Sequence, residues 1–273
     1  MNYSTFKELH SKKSFFVLAN CWDVLSARIY EEAGYKALGT SSSALSATNN
    51  VKDGENITFY TVLHNAQNIL KVVKIPLSVD MEKGYSSRVT DIVDNVIKLA
   101  DIGCSGINIE DSEISGNLQS PTNFSRIISL IKSTLLAKGF PHFVLNARTD
   151  TYLSPFCHDK LTETIARASV YKSAGADCLF VPGLSNLSEI REISDEIALP
   201  LNVLNLPNIS NIDDLRLAGV NRFSLGNSVF DEMLAYLEKS INRTIHNKNY
   251  ASHYSHDPLN LLFNLKPITF QKK

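Results

Sequence analysis

This α/β sequence predicts a closed barrel of eight parallel strands alternating with helices, the (β/α)8 or TIM-barrel fold. Three observations carry that expectation. Short apolar runs alternate eight times with longer amphipathic segments, several of those segments end on glycine, and polar residues collect at the C-terminal ends of the apolar runs. Eight strand–helix units in about 230 residues is the ordinary size of such a barrel.

The expected strands are residues 15–21 (FFVLANC), 36–42 (KALGTSS), 75–82 (IPLSVDME), 106–111 (GINIED), 142–149 (HFVLNART), 178–184 (CLFVPGL), 200–206 (PLNVLNL) and 222–227 (RFSLGN). Runs of this kind, separated by helices, pair in parallel through crossovers. The segments between them, such as DVLSARIYEEAG, VTDIVDNVIKLADIG and LTETIARASVYKSAG, carry apolar residues three and four apart. Gly34, Gly103, Gly139, Gly175 and Gly219 stand where a helix C-terminus calls for a left-handed residue. A doubly wound open sheet is the alternative, and it loses ground because no GxGxxG or P-loop pattern follows the first strand. Residues 1–240 are therefore expected to form one barrel domain. From about Ile241 the strand pattern stops, and 241–273 are expected to form a C-terminal helical arm carrying LNLLFNL at 259–265. Such residues are costly to leave in water, so the arm should pack on its own barrel or on a neighbouring subunit.

Charge narrows the functional classes. The 273 residues include 27 Lys and Arg against 28 Asp and Glu, a net charge of −1. That balance gives no electrostatic basis for binding nucleic acid or an anionic membrane surface. No run approaches the roughly 20 apolar residues of a membrane span, and the first residues lack the apolar stretch of a secretory signal. The four cysteines, Cys21, Cys104, Cys157 and Cys178, are widely separated and form no CxxC pair, so they are read as reduced thiols. A soluble cytoplasmic protein is expected.

The strand ends carry the chemistry. In this fold they face the active site. The third strand ends in Asp80-Met81-Glu82, and a period of two puts Asp80 and Glu82 on one face. By the same period Asn108 and Glu110 share a face, as do Asn146, Arg148 and Asp150, while the second strand ends in the run Thr40 to Ser43. Buried charges must be paired or bind a metal. Carboxylates without a nearby His or Cys pattern suit Mg2+ or Mn2+ better than Zn2+. The alternative is an internal salt-bridge network in which Arg148 neutralises Glu110 or Asp80.

Six stretches, WDVLSARIYEEAGYKAL (22–38), VDMEKGY (79–85), GINIEDS (106–112), NARTD (146–150), RASVYKSAGADCLFVPGL (167–184) and PLNVL (200–204), give the chain a clear resemblance. It resembles the isocitrate lyase/phosphoenolpyruvate mutase superfamily from about residue 15 to 235. VDMEKGY, NIEDS and NARTD in this order make the likeness specific. The resemblance implies a modified barrel, an oligomer (tetramer or dimer) with C-terminal helices exchanged between subunits, and Mg2+ chemistry on small 2-oxo or 2-hydroxy carboxylates through an enolate. It implies that Asp80, Glu82 and Glu110 hold the metal, mainly through its water shell, with Glu82 standing where better-known members have Asp. It further implies that Arg148 grips substrate oxygens, that main-chain N–H groups at Ser42 and Ser43 bind the substrate, and that Asp53, in NNVKDGENI, sits over it as a catalytic group.

The loop after the fourth strand departs from the family. Residues 112–121, SEISGNLQSP, contain no Cys, His or Lys. The lyases carry a Lys-Lys/Arg-Cys-Gly-His sequence there, and the mutase and phosphonopyruvate hydrolase branches a Lys-Thr-Asn-Ser-like loop for the phosphoryl group. Cys104 precedes the fourth strand, at the end opposite the mouth, and does not replace the lyase cysteine. Pro182-Gly183 stand where the mutase branch has a histidine. Asn205, at the end of the seventh strand, could bind substrate or stabilise a turn. The expected activity is Mg2+-dependent C–C cleavage or hydrolysis of an oxaloacetate-like or substituted malate-like acid. Phosphoenolpyruvate or phosphonopyruvate C–P chemistry, and a non-catalytic barrel that keeps the metal site, are the alternatives.

Overall fold

The computed structural model describes residues 3–248 apart from 13, 114 and 210. In chain order the elements are α1 (Tyr3–Leu9), β1 (Phe16–Cys21), α2 (Val24–Glu32), β2 (Leu38–Thr40), α3 (Ser42–Thr48), α4 (Phe59–Leu70), β3 (Leu77–Asp80), α5 (Val89–Asp101) and β4 (Gly106–Glu110). They continue through α6 (Pro121–Ala137), β5 (Val144–Arg148), α7 (Lys160–Ser173), β6 (Cys178–Phe180), α8 (Leu187–Glu196), β7 (Leu201–Leu204), α9 (Ile212–Leu217), β8 (Val220–Ser224) and α10 (Ser228–Asn247). Each strand pairs with the next, and β8 pairs with β1 in parallel, closing an eight-stranded barrel.

The observed strands are shorter than the expected runs and lie inside them, except that β8 starts early; all but β1 end sooner than expected. β8 begins two residues sooner, at Val220, directly after Gly219 has ended the preceding helix with φ 92°. β3 ends at Asp80, and Glu82 lies beyond it with a left-handed φ of 45°. Strand alternation therefore does not place Asp80 and Glu82 on one face; a turn does the placing. β5 likewise ends at Arg148, one residue short of Thr149 and two short of Asp150.

Helix α1 is an element that the strand–helix count does not anticipate, and it covers the N-terminal end of the barrel. Phe6 packs with Phe16, Leu18, Ala37 and Val144, Lys7 pairs with Asp177 just before β6, and Tyr3 Oη donates to the Ala100 carbonyl at 2.7 Å. Gly106 makes this closure possible. A Cβ at that position would lie 2.6 Å from the Val144 carbonyl and 2.9 Å from the Phe6 ring.

Between this floor and the mouth the barrel interior is polar. Arg222 is fully buried. Its guanidinium donates to Asn108 Oδ1 at 3.2 Å and to Ser224 Oγ at 3.3 Å, and lies 3.3 Å from His10 Nε2. Burial, with Arg222 beside it, holds the His10 imidazole down at about 3, so the ring is neutral at physiological pH. Nδ1–H then donates to the Phe6 carbonyl at 2.8 Å, leaving Nε2 as acceptor for Arg222. One layer up, Asn146 Nδ2 donates to Asn108 Oδ1 at 2.8 Å.

The chain divides into two units, residues 1–227 and 228–273. In the second, α10 runs through position 241, and its Met233, Leu234, Leu237, Ile241 and Ile245 are exposed. The LNLLFNL segment lies outside the described residues. Among the described residues no helix is long and apolar enough to cross a membrane.

Candidate active site

Residues at the C-terminal ends of β2 to β5 build the mouth. Thr40, the last residue of β2, accepts the Asp80 N–H on Oγ1 at 2.9 Å, and Ser42, the first residue of α3, donates its hydroxyl to Asp80 Oδ2 at 2.9 Å. Ser41 caps α3 through its side chain. Ser42 and Ser43 are therefore the first two helical residues, whose N–H groups have no acceptor inside the helix. The Ser43 hydroxyl accepts from Asn227 Nδ2 at 2.7 Å.

The turn after β3 is tightly wound. Glu82, Gly84 and Tyr85 all have positive φ, a conformation that non-glycine residues adopt rarely and mostly at functional sites. Glu55, from the α3–α4 loop, braces it by accepting the N–H groups of Lys83 at 3.0 Å and Tyr85 at 2.6 Å on Oε1. The Glu82 carbonyl accepts the Glu110 N–H at 2.8 Å. Its carboxylate, 3% exposed with its residue, receives the Tyr85 hydroxyl at 2.8 Å.

Glu110 and Arg148 are register partners on β4 and β5. Arg148 Nη1 lies 2.9 Å from Glu110 Oε2, while Nε and Nη2 donate to the two oxygens of Asp150 at 2.6 and 2.9 Å. The guanidinium is thus held in plane by two carboxylates, with the Phe180 ring 6.0 Å away. The other Glu110 oxygen accepts from Ser112 Oγ at 2.5 Å and lies 3.8 Å from Lys83 Nζ.

Electrostatics follow from this crowding. Burial pushes the Asp80 carboxyl above the ordinary range, Arg148 pulls it back, and Asp53 adds to the rise. Burial, then Asp80 and Asp53, pushes Glu82 up to about 7 against the hydrogen bond from Tyr85. Glu110 is raised by burial and drawn down by Arg148. Burial works against the charge on Arg148, but Glu110 and Asp150 outweigh it and keep the guanidinium firmly protonated. Asp53 is exposed on its loop yet close enough to act on both Asp80 and Glu82.

Among the described residues neither Asp80 nor Glu82 has a cationic side chain within ion-pair distance, and no three His, Cys, Asp or Glu side chains stand close enough to ligate one ion directly. Among the described residues Asp53, Asp80, Glu82, Glu110 and Asp150 stand against Lys83, Arg148 and, from within the barrel, Arg222, which acts on Asp80, a local excess of two negative charges. The buried carboxylate oxygens of Asp80, Glu82 and Glu110, raised by burial and by neighbouring carboxylates, are the hard donors that a divalent cation such as Mg2+ takes. Mg2+ bound to carboxylates keeps several of its waters.

Asn205 lies beyond the end of β7, and its main-chain N–H donates to the Ser224 carbonyl at 2.8 Å. Cys104 precedes β4, buried at the far end of the barrel. The loop after β4 folds as a short hairpin in which Ser112 bridges Leu118 and the Glu113 N–H donates to the Asn117 carbonyl at 2.8 Å. Glu55, Tyr85 and Ser112 were not legible as site residues. Tyr85 had a signal, its place in VDMEKGY three residues after Glu82, whereas Glu55 depends on a loop meeting a distant turn.

Comparison with known proteins agrees with this architecture. The sequence model of the phosphoenolpyruvate phosphomutase family matches residues 6–245. An uncharacterised protein of Mycobacterium tuberculosis is 36% identical over 226 residues, 81% of each chain. Oxaloacetate decarboxylase of Pseudomonas savastanoi pv. phaseolicola is 28% identical over 221 residues, covering 78% of this chain and 74% of its own. The crystal structure of a candidate phosphonomutase from Burkholderia cenocepacia superimposes with a TM-score of 0.84 at 32% identity, over 88% of this chain and 99% of the other. A phosphonopyruvate hydrolase complex with oxalate and Mg2+ shares the fold at 20% identity, with a TM-score of 0.86 over 97% and 94% of the two chains. Closed barrel, motif order and family match concur, and the chain belongs to the phosphoenolpyruvate mutase/isocitrate lyase superfamily.

Proposed function

We propose that the chain is a Mg2+- or Mn2+-dependent enzyme that cleaves or hydrolyses a C–C bond in a small 2-oxo or 2-hydroxy carboxylate, of the oxaloacetate or substituted malate type, through an enolate-like intermediate. The observation that carries the reading is one fixed guanidinium set against buried carboxylates that have no cation of their own. Asp80, Glu82 and Glu110 would hold the metal through its water shell, and the ion would supply a positive charge that polarises the substrate carbonyl.

The protein's own groups do the rest. Breaking the bond β to an oxo-acid carbonyl leaves an electron pair on the carbon beside that carbonyl, where it rests as an enolate until a proton returns to that carbon. Arg148, immobilised by Asp150 and Glu110, is already oriented for that developing negative charge, so little reorganisation is needed as it forms. Its planar fork suits a carboxylate or enolate oxygen pair. The N–H groups of Ser42 and Ser43 are assigned to the substrate carboxylate, and Asn205 to its outer end. Asp53, the exposed carboxylate acting on Asp80 and Glu82, is assigned the transfer of the proton. Tyr85 Oη and Ser42 Oγ donate hydrogen bonds to Glu82 and Asp80, fixing which carboxylate lone pairs stay free.

Oxaloacetate decarboxylases among the sequence relatives support a C–C reaction. The hairpin 112–118 brings no lysine to the mouth, which counts against a phosphoryl group as the leaving part. C–P chemistry keeps two supporting observations, the match to the phosphoenolpyruvate phosphomutase family model and the 32% identity to the Burkholderia protein. The test is a thermal-shift series with Mg2+, oxalate and both, followed by 2-oxo acids, malates and phosphonopyruvate assayed for pyruvate or oxalate release. A Mg2+-dependent rise in melting temperature with oxalate is expected. No shift with any combination would leave a non-catalytic barrel. Turnover of phosphonopyruvate alone would replace the C–C reading with the C–P one.

A further inference from the structure

A second cluster of buried charge, behind the mouth, is not used by the chemistry above. Asp111 and Tyr171 are fully buried and Arg167 is 4% exposed. Asp111 Oδ2 receives the Tyr171 hydroxyl at 2.5 Å and Arg167 Nη1 at 2.9 Å, and Oδ1 receives the main-chain N–H of Asp150 at 3.1 Å. Arg167 Nη1 also donates to the Gln119 carbonyl at 2.9 Å, and its Nε to Glu163 Oε1 at 2.7 Å. The Gln119 N–H returns to the Asp111 carbonyl at 2.8 Å.

The outputs of this cluster converge on the site. Asp111 and Gln119 are the two ends of the segment that carries the 112–118 hairpin, and Ser112, one residue on, bonds Glu110. Asp150 is the carboxylate that fixes Arg148 in plane. Were stability the only purpose, apolar side chains of similar volume would serve as well or better, because desolvating a buried ion pair offsets most of its attraction. Three of the cluster's contacts instead involve main-chain atoms of residues bordering the mouth.

We propose that Arg167 and Tyr171 are positioning residues: through Asp111 they clamp both ends of the 112–118 hairpin and the Asp150 backbone, and so set the aim of Arg148. This rests on the reading of Arg148 as the group that holds the substrate. Neither residue touches the site itself.

The test compares the full chain with Tyr171→Phe, Arg167→Met and Arg167→Lys. Amide hydrogen exchange is read for residues 112–119 and 149–151 against strand 17–21, and oxalate affinity is read by calorimetry with Mg2+ present. Tyr171→Phe and Arg167→Met should speed exchange in both segments about tenfold and leave the reference strand unchanged. They should also weaken oxalate binding about tenfold to a hundredfold, the usual effect of losing a group that orients a first ligand. Arg167→Lys, whose ammonium can serve the same acceptors as Nη1, should recover most of both. Should Arg167→Met fail to fold, Tyr171→Phe, which removes a single hydroxyl, carries the test. Unchanged exchange in both segments overturns the proposal, and so does equal acceleration in the reference strand. If the wild-type chain binds no oxalate, the substrate reading fails, while the exchange measurement still decides whether these residues clamp the hairpin.

Discussion

Replacing Arg148 with methionine removes a guanidinium bonded to Glu110 at 2.9 Å and to Asp150 at 2.6 and 2.9 Å. Asp150 then loses the cation it pairs with, and Glu110 keeps only Lys83 at 3.8 Å. Breaking a fully buried ion pair costs about 3–5 kcal/mol, and because the Arg148 side chain retains 20% exposure the loss should lie near the bottom of that range, about 3 kcal/mol at pH 8. The loss must depend on pH. Burial already raises Glu110, and without Arg148 its folded-state pKa rises further above the unfolded value. The folded variant then binds a proton that the unfolded chain releases, so its deficit shrinks by about 1.4 kcal/mol per unit of pH lowered, until wild-type Glu110, itself raised by burial, takes up its proton as well. Urea denaturation of wild type and Arg148→Met at pH 8 and pH 5.5 measures this directly. The deficit should fall to about 1.5 kcal/mol at pH 5.5, and adding Glu110→Gln at pH 8 should return about half of it. A deficit of equal size at both pH values would refute the assignment of the cost to stranded carboxylates.

Glu82, pushed up to about 7, should make metal affinity pH-dependent. Mg2+ must displace its proton, so affinity measured by calorimetry should rise about tenfold per pH unit up to about pH 7 and then level, and Glu82→Gln should flatten the profile. The same raised pKa means that the metal-free protein loses stability from this group as pH climbs from about 4.5 through 7, the reverse of a paired carboxylate. Of the four cysteines only Cys157 is partly exposed, and burial lifts Cys21 and Cys178 to about 12, so one thiol should react quickly with a disulfide reagent in the native protein and four after denaturation. Gly106→Ala should cost about 1–3 kcal/mol, read as a lowered urea midpoint, because its methyl meets the Val144 carbonyl and the Phe6 ring.

The barrel could be read from the chain because its strands are buried on both sides and its helices end on glycine, both local signals. Asp80, Glu110 and Arg148 could be read for a related reason: each is a polar residue at the close of an apolar run. Glu82 was found, but by the wrong geometry, since only a left-handed turn and not strand alternation brings it inward. Helix α1 was missed because its seven residues bury one phenylalanine and carry little periodicity. Glu55, and the bond from Arg167 to Gln119, lie further from legibility still. They join residues 28 and 48 positions apart or more, and no local pattern records such a meeting.

The floor laid by α1 has a consequence for traffic. With Phe6 and His10 packed at the N-terminal end, and Arg222 with Asn108 and Ser224 filling the middle, the described residues block the barrel from below and leave its strand ends approachable from the C-terminal mouth. Anything bound at the strand ends therefore enters and leaves by the same side, and a change to the loops there alters both directions of traffic at once.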